Sequence, residues 1–293
     1  MSFSADIKKS LGNVENNCDM CDKAELCGIL EFSGTVKNDK LRIITENASV
    51  AETIIRLMKK CFNADIEYIK NEQSYSIFIS DSIVIENIAN GLNLFATKDE
   101  LDEVVPNDCC KAAYIRGAFL GGGSVTDPQK GYHLEFSSRY KELTNKLCEI
   151  IRLVGFNAKT ICRKGSYIAY IKECEVIADL LGLIGAGGAV LTLYNVQIEK
   201  EMRNSVNRQV NCETANLDKV IKASIRQVDA IKKIERITGL EKLPDTLYEM
   251  ARTRLEYPEE SLKELAERMK LGKSGVNHRL NRLIELAEGL EEI

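Results

Sequence analysis

Apolar positions along the chain follow two periods, and the order in which those periods occur repeats. A strand-like segment, Leu41 to Thr45, leads into a helix with Ser49 and Glu52 spaced as a capping box. Ile54, Leu57, Met58 and Cys61 form the apolar face of that helix, and strands are predicted around Asp65 to Ile69 and Tyr75 to Ser80. The same order returns with a strand at Tyr132 to Ser137, then a helix with Leu143, Leu147, Ile150, Ile151 and Val154 on one face. Strands at Lys159 to Arg163 and Tyr167 to Lys172 and a helix to Gly182 complete the second copy. Each of the two large helices is followed by Phe-Asn-Ala, at Phe62-Asn63-Ala64 and again, 94 positions on, at Phe156-Asn157-Ala158. From Leu217 strand signals stop. Leu217, Val220, Ile221, Ile225, Val228, Ile231 and Ile234 make one helical stripe ended by Gly239. The pattern predicts two αββ-type units as a pseudo-dimer, then an all-helical region. Four prolines mark boundaries: Pro106 between the halves, Pro128 in a hairpin turn, Pro244 opening a helix and Pro258 before the last helix pair.

Each half also carries a nine-residue glycine-marked helix, Leu26-Cys27-Gly28-Ile29-Leu30-Glu31-Phe32-Ser33-Gly34 and, 89 positions later, Ile115-Arg116-Gly117-Ala118-Phe119-Leu120-Gly121-Gly122-Gly123. Both resemble the LAGLIDADG motif of homing endonucleases, in which two such helices pack together. That resemblance implies a pseudo-two-fold αββαββα saddle of the α+β class. Gly117 and Gly121 share a helix face and would let two backbones approach closely, whereas Gly28 is followed at the second position by bulky Phe32. In the endonucleases the eighth motif residue is the metal-binding acid; here Ser33 and Gly122 stand there. Glu31, at the sixth position, is opposed by Leu120. One carboxylate is a poor two-metal site, so no catalytic residue, metal or cofactor is expected. The rival is a working metal-dependent endonuclease that uses Glu31.

Composition narrows the picture. Apolar residues make up 44% and charged residues 29% of 293, ordinary for a globular protein. The net charge of −4 hides a division: residues 1–110 carry −8, residues 111–236 carry +7 and residues 237–293 carry −3. Ten cysteines without an apolar leader suggest reduced thiols and a cytoplasmic location. Cys18-Asp19-Met20-Cys21 has zinc-ribbon spacing with Cys27 nearby, but no second such pair follows, and His133 and His278 are the only histidines. The uncharged stretch from Leu180 towards Glu199, broken by glycines, reads as a buried helix end and loop, not a membrane span. His133 reads as a structural strand residue. Gly121-Gly122-Gly123-Ser124 lacks the lysine of a P-loop and follows a helix.

Basic chemistry concentrates near the carboxyl end. Ser261-Leu262-Lys263-Glu264 is a capping box that opens a short helix with Leu262, Leu265, Ala266 and Met269 inward. Leu271-Gly272 supplies a turn, with Lys270 where many such motifs place a glycine. Ser274 is then expected to cap a helix with Val276, Leu280, Leu283 and Ile284 inward, leaving Lys273, Asn277, His278, Arg279, Asn281 and Arg282 outward. Residues 268–282 hold five basic groups and no acid until Glu285. This spacing suits a helix-turn-helix whose second helix enters a major groove. Arg279 or Asn277 would meet base edges, and Lys273 and Arg282 would meet phosphates. The rival is a solvated helical hairpin used for packing. Arg203 and Arg208, with Lys200, Lys219, Lys222 and Arg226, lie in or beside an Asn-rich stretch that reads as a phosphate-gripping surface or a solvated interdomain segment. Arg139, Arg163, Lys164 and Lys172 are candidates for nonspecific grip on the saddle sheets.

Asn207 to Asn216 (Asn-Arg-x-x-Asn-Cys-Glu-x-Ala-Asn), the two degenerate glycine helices and Lys273 to Leu280 (Lys-Ser-Gly-Val-Asn-His-Arg-Leu) together resemble the WhiA family. The resemblance covers nearly the whole chain. It implies a nuclease-derived scaffold without nuclease activity joined to a helix-turn-helix, and a transcription regulator acting in sporulation or in cell division and chromosome segregation. The expected organisation is a first half at 1–105, a second at 106–200, a basic Asn-rich linker at 201–216 and a DNA-binding domain at 217–293. Double-stranded DNA is the expected partner, at the nucleoid, together with a transcription factor or RNA polymerase and no membrane. A further alternative is a protein-binding adaptor acting through the acidic first half.

Overall fold

The computed structural model describes residues 2–16, 18–37, 40–97 and 100–290. It divides into two compact units, Met1–Lys200 and Glu201–Ile293.

In the first unit, α1 (Phe3–Leu11) precedes α2 (Asp19–Ser33), which carries the first glycine motif. Then come β1 (Gly34–Lys37), β2 (Lys40–Thr45), α3 (Ala48–Phe62), β3 (Tyr68–Lys70), β4 (Tyr75–Ile79), α4 (Ser82–Gly91) and the short α5 (Leu101–Val104). The second half follows the same course with α6 (Asp108–Gly122), β5 (Gly123–Val125), β6 (Leu134–Ser138), α7 (Lys141–Leu153), β7 (Lys159–Arg163), β8 (Ser166–Ile171) and α8 (Cys174–Leu183). Each half builds one antiparallel four-stranded sheet, ordered β1-β2-β4-β3 and β5-β6-β8-β7. The α+β duplicated architecture is therefore as the periodicities predict.

The internal symmetry is visible in register. Gly34 pairs with Ile43 and Gly123 with Phe136, so an offset of 89 at the glycines becomes 93 at their partners. The repeated Phe-Asn-Ala tripeptide does not occupy equivalent places. Asn63 caps α3 in the left-handed region at φ 51°, whereas α7 is capped by Val154 and the left-handed residue is Gly155 at φ 93°, ahead of Asn157. Two further expectations change. The α3 cap is Asn47, whose side chain accepts from the Ser49 N–H at 3.0 Å, so Ser49 lies inside the helix. The stretch from Leu180 is largely helix, interrupted only around Gly185 at φ 99°.

One continuous core fills this unit. α3 contributes Ile54, Leu57 and Met58, and α7 contributes Leu147, Ile150 and Ile151, all fully buried against the helical faces of the sheets. Burying side chains of this size contributes roughly 1.5–3 kcal/mol each.

The helix α9 (Gly187–Ile237) runs for 51 residues and enters the second unit. Residues 201–216, expected as a linker, lie within it. Neither glycine nor proline interrupts residues 189–237, which is what so long a helix requires. In the second unit a 3-10 turn (Leu240–Lys242) is followed by α10 (Asp245–Glu256), α11 (Leu262–Arg268) and α12 (Lys273–Glu288). Ile231, Ile234, Met250, Ala251, Leu265, Val276, Leu280 and Leu283 form its core. Leu217, Val220, Ile221 and Ile225, on the same predicted stripe as Ile231, stay outside it. Arg254 is buried and donates to the Glu260 carbonyl at 2.6 Å, tying α10 to the turn before α11. Among the described residues no helix is long and apolar enough to cross a membrane.

Candidate nucleic-acid interface and the degenerate motif centre

The two glycine motifs form the central helix pair, and their glycines are required by contact. A Cβ on Gly28 would lie 2.4 Å from the Tyr114 carbonyl oxygen, and one on Gly117 would lie 2.0 Å from that of Glu25. At the next turn Gly121 leaves room for Phe32, whose Cβ would be 3.1 Å from a Gly121 Cβ. The bulk of the first motif thus fills the gap left by the second.

Where the endonuclease acids would stand, α2 ends with Ser33 and α6 with Gly122. The Ser33 hydroxyl donates back to the Ile29 carbonyl at 2.6 Å. Glu31 is buried and both of its carboxylate oxygens are engaged. It accepts from the Phe95 N–H at 2.8 Å, Lys146 Nζ at 2.9 Å and the Tyr114 hydroxyl at 2.5 Å. Phe95 is itself held at φ 64°, a conformation a bulky side chain avoids unless its surroundings impose it. Burial beside Glu31 pushes the Tyr114 hydroxyl well above its ordinary pKa, which keeps it protonated and donating. A second buried pair joins the helices: Arg116 meets Glu25 at 3.0 Å, Asn16 Oδ1 at 2.5 Å and the Ile184 carbonyl at 3.2 Å. Both carboxylates thus hold the helices and loops in place. The cleft below the motif ends, about 190 Å³, is lined by Ser33, Ser137, Ser138, Arg139 and Ser166, with Glu31 its sole carboxylate among the described residues. Hydroxyls and a guanidinium suit an anion better than a divalent cation.

On the sheets, Lys159, Ile161 and Arg163 alternate along one face of β7, and every residue of that strand is exposed. Lys164 and Gly165, at φ 51° and 80°, form the two-residue turn between β7 and β8, a hairpin geometry that needs positive φ at both positions. Arg139 and Lys172 are exposed. The open face of the first sheet is more apolar. Arg42 stacks on Phe78 at 5.4 Å, and Ile44 and Ile69 are exposed beside it.

The second unit presents the helix whose stretch from Lys273 to Arg282 carries no acid. α11 opens with the expected capping box, Ser261 with Glu264. The turn works with Lys270 in the left-handed region at φ 51°, where the Leu271 N–H reaches the Ala266 carbonyl at 2.9 Å. α12 begins two residues earlier than expected. Its N-cap is Gly272, so Ser274 lies within the first turn, exposed, and caps nothing. Val276, Leu280 and Leu283 point into the core, which turns Lys273, Asn277, His278, Asn281 and Arg282 outward. Arg279 is half-buried at the edge of that surface, and Arg282 pairs with Glu285 at 2.9 Å. Arg203 and Arg208 are exposed on α9. The partners of Glu31 were not foreseeable: Lys146 is 115 positions away and belongs to an ordinary amphipathic helix.

Three family descriptions match along the chain: the WhiA N-terminal LAGLIDADG-like domain at residues 19–95, the WhiA LAGLIDADG-like domain at 111–203 and the WhiA C-terminal HTH domain at 206–287. The chain belongs to the WhiA family. A protein of Alkaliphilus metalliredigens named probable cell division protein WhiA is 42% identical over 98% of both chains. One of the same name from Bacillus velezensis is 42% identical, covering 99% of this chain and 97% of its own. The crystal structure of full-length DUF199/WhiA from Thermatoga maritima matches over 100% of both chains with a TM-score of 0.62 and 26% identity. Degenerate motifs on a retained scaffold are thus this WhiA chain's own architecture, and its helix-turn-helix is the domain that ends in α12.

Proposed function

We propose that this WhiA-family chain is a sequence-specific binder of double-stranded DNA that regulates transcription in connection with cell division, and that it does not cut DNA. The observation that carries the reading is the outer surface of α12. Lys273, Asn277, His278, Asn281 and Arg282 lie together on a rigid helix whose other face is locked into the helix-turn-helix core. Amides and imidazole can read base edges, and lysine and arginine neutralise phosphates or read guanine. Asn277 and Asn281, one turn apart and outward, are better placed than half-buried Arg279 to read bases. Lys273 and Ser274 at the helix start suit phosphate contact, supported by the helix dipole.

The loss of nuclease chemistry is supported by Ser33 and Gly122 at the acid positions and by the engagement of both Glu31 oxygens with Phe95, Lys146 and Tyr114. The serine- and arginine-lined cleft and the exposed cations Arg163, Lys164, Arg203 and Arg208 offer additional nonspecific phosphate contacts. The name borne by the relatives supports the connection with cell division.

Footprinting the full chain on genomic DNA tests the reading, paired with incubation of supercoiled plasmid and Mg²⁺. Discrete protected sites with intact plasmid are expected. Nicked plasmid, or protection that tracks salt alone without preferred sites, overturns it.

A further inference from the structure

The Cys18–Cys21 pair finds its missing counterpart in the fold. Cys109 and Cys110, adjacent in sequence and unremarkable there, arrive at the same point from the start of α6. The sulfurs of Cys18, Cys21, Cys109 and Cys110 all lie within 4.8 Å of one another, and Cys21 and Cys110 are 3.7 Å apart. A tetrahedral zinc with Zn–S bonds of about 2.3 Å places its sulfurs about 3.8 Å apart. We propose that these four cysteines form a closed, mononuclear tetrathiolate metal centre, with zinc the cation selected by the donor set and the size.

The position of the four ligands is set by the internal duplication. Cys21 and Cys110 are separated by the same 89 residues as the glycine motifs, and each is the third residue of its helix. They therefore face each other across the pseudo-two-fold axis. Cys18, the N-cap of α2, and Cys109, the second residue of α6, complete the set from either side.

Two helix N-termini meet at the cluster, and both favour negative sulfur. Four soft thiolates select zinc or iron over magnesium or calcium. With four protein ligands no coordination position stays open, so the centre is structural. Cys21 and Ser33 are twelve residues apart on α2, about 18 Å at 1.5 Å per residue. The centre thus lies at the opposite end of the helix pair from the old catalytic cleft, where it would fasten the starts of the two halves.

The test uses the full chain, expressed with added zinc and purified anaerobically without chelator. Mass-spectrometric metal analysis should find about one zinc per chain in the native protein and in Cys148→Ser, whose sulfur lies outside the cluster. Cys18→Ser/Cys109→Ser alters the two more accessible ligands and should fold by circular dichroism, yet retain at least tenfold less zinc. Cobalt loaded into the native chain should give the strong red absorption and thiolate charge-transfer bands of a tetrahedral sulfur site, and the double variant should not. Three outcomes overturn the proposal: a native chain that takes up neither metal with its four thiols reduced, a Cys21–Cys110 disulfide in the purified protein, or zinc retained undiminished by the double variant. Iron in place of zinc would overturn the choice of cation.

Discussion

The carboxylate of Glu31, the one acid of the motif centre, lies 2.9 Å from the ammonium of Lys146 on α7, and both side chains are almost fully withdrawn from solvent. An ion pair so buried contributes little net stability as a pair, but removing one partner strands the other. Lys146→Met should therefore cost about 3–5 kcal/mol in urea unfolding. Glu31→Gln/Lys146→Met keeps an acceptor for the Phe95 N–H, lets the amide NH2 donate to a reoriented Tyr114 hydroxyl and removes both charges, so it should cost clearly less. If the double variant is as unstable as the single, Lys146 holds the fold by packing and not by charge.

The glycines of the helix pair divide sharply by what surrounds them. Alanine at Gly117 would place its Cβ 2.0 Å from a backbone carbonyl, and at Gly28 2.4 Å. Neither backbone can move without separating the halves, so each substitution should destabilise by at least about 1–3 kcal/mol, with Gly117→Ala the worse. Gly275 has nothing within 4 Å of its would-be Cβ and lies inside α12. Gly275→Ala should instead stabilise the second unit by about 0.5–1 kcal/mol. Thermal melts of the three variants check the contrast.

The elements legible from residues alone are those that carry their own evidence. α3 and α7 announce themselves through apolar stripes, and β7 is bounded as expected at Lys159–Arg163. β1 and β5, at four and three residues, are too short to show alternation. The cap of α3 was mistaken because Ser49 and Glu52 mimic a capping box two residues inside the true cap, Asn47. Residues 201–216, expected as a basic Asn-rich linker, belong to α9 although asparagine is a weak helix former. An uninterrupted helix accommodates it with support from local pairs such as Gln209 with Glu213 at 3.0 Å. At the motif centre the missing acids could be read directly at Ser33 and Gly122. What Glu31 does instead could not, because its partners come from two other helices and the turn after α4.

Lys270 is the residue whose backbone is least suited to its place in the helix-turn-helix. At φ 51° a side chain with a Cβ carries roughly 1–2 kcal/mol of strain that glycine does not. Glycine also gains freedom in the unfolded chain, which offsets part of that. Lys270→Gly should raise stability by about 0.5–1 kcal/mol, with Lys270→Asn between the two. A melting temperature that falls would show that the lysine side chain earns its place through a contact.

Buried thiols give the first unit a weakness in alkali. Burial pushes Cys148 up to about 11, and burial with the nearby Asp22 charge does the same for Cys61. Both start from an ordinary value of 9.0. Above that value the unfolded chain loses protons that the folded chain keeps, so stability falls with rising pH between about 9 and 11. Lys8 acts in the opposite sense: burial lowers its pKa to about 8, so its contribution rises with pH up to its ordinary 10.5. Comparing the native chain with Cys61→Ala/Cys148→Ala cancels the lysine. The variant should lose less stability between about pH 8.5 and 10.5 in urea titrations. Parallel curves would mean that these thiols ionise as easily folded as unfolded.

Asn277 and Lys273 stand one turn apart on α12, both exposed, and they should fail in different ways when truncated. An amide that reads a base contributes preference at one position, so Asn277→Ala should weaken the best site by about 1–3 kcal/mol while leaving binding to unrelated DNA unchanged. A lysine on a phosphate contributes equally to all sequences, so Lys273→Ala should weaken specific and nonspecific binding alike and reduce the salt slope by about one. Arg282 shares its charge with exposed Glu285 at 2.9 Å, a pair that is cheap to break. Glu285→Gln should therefore free Arg282 and steepen the salt dependence slightly without changing site preference. Fluorescence-anisotropy titrations at several salt concentrations, on one protected site and one scrambled duplex, separate the three. Equal losses on both duplexes for Asn277→Ala would remove α12 from base reading and leave it a phosphate contact only.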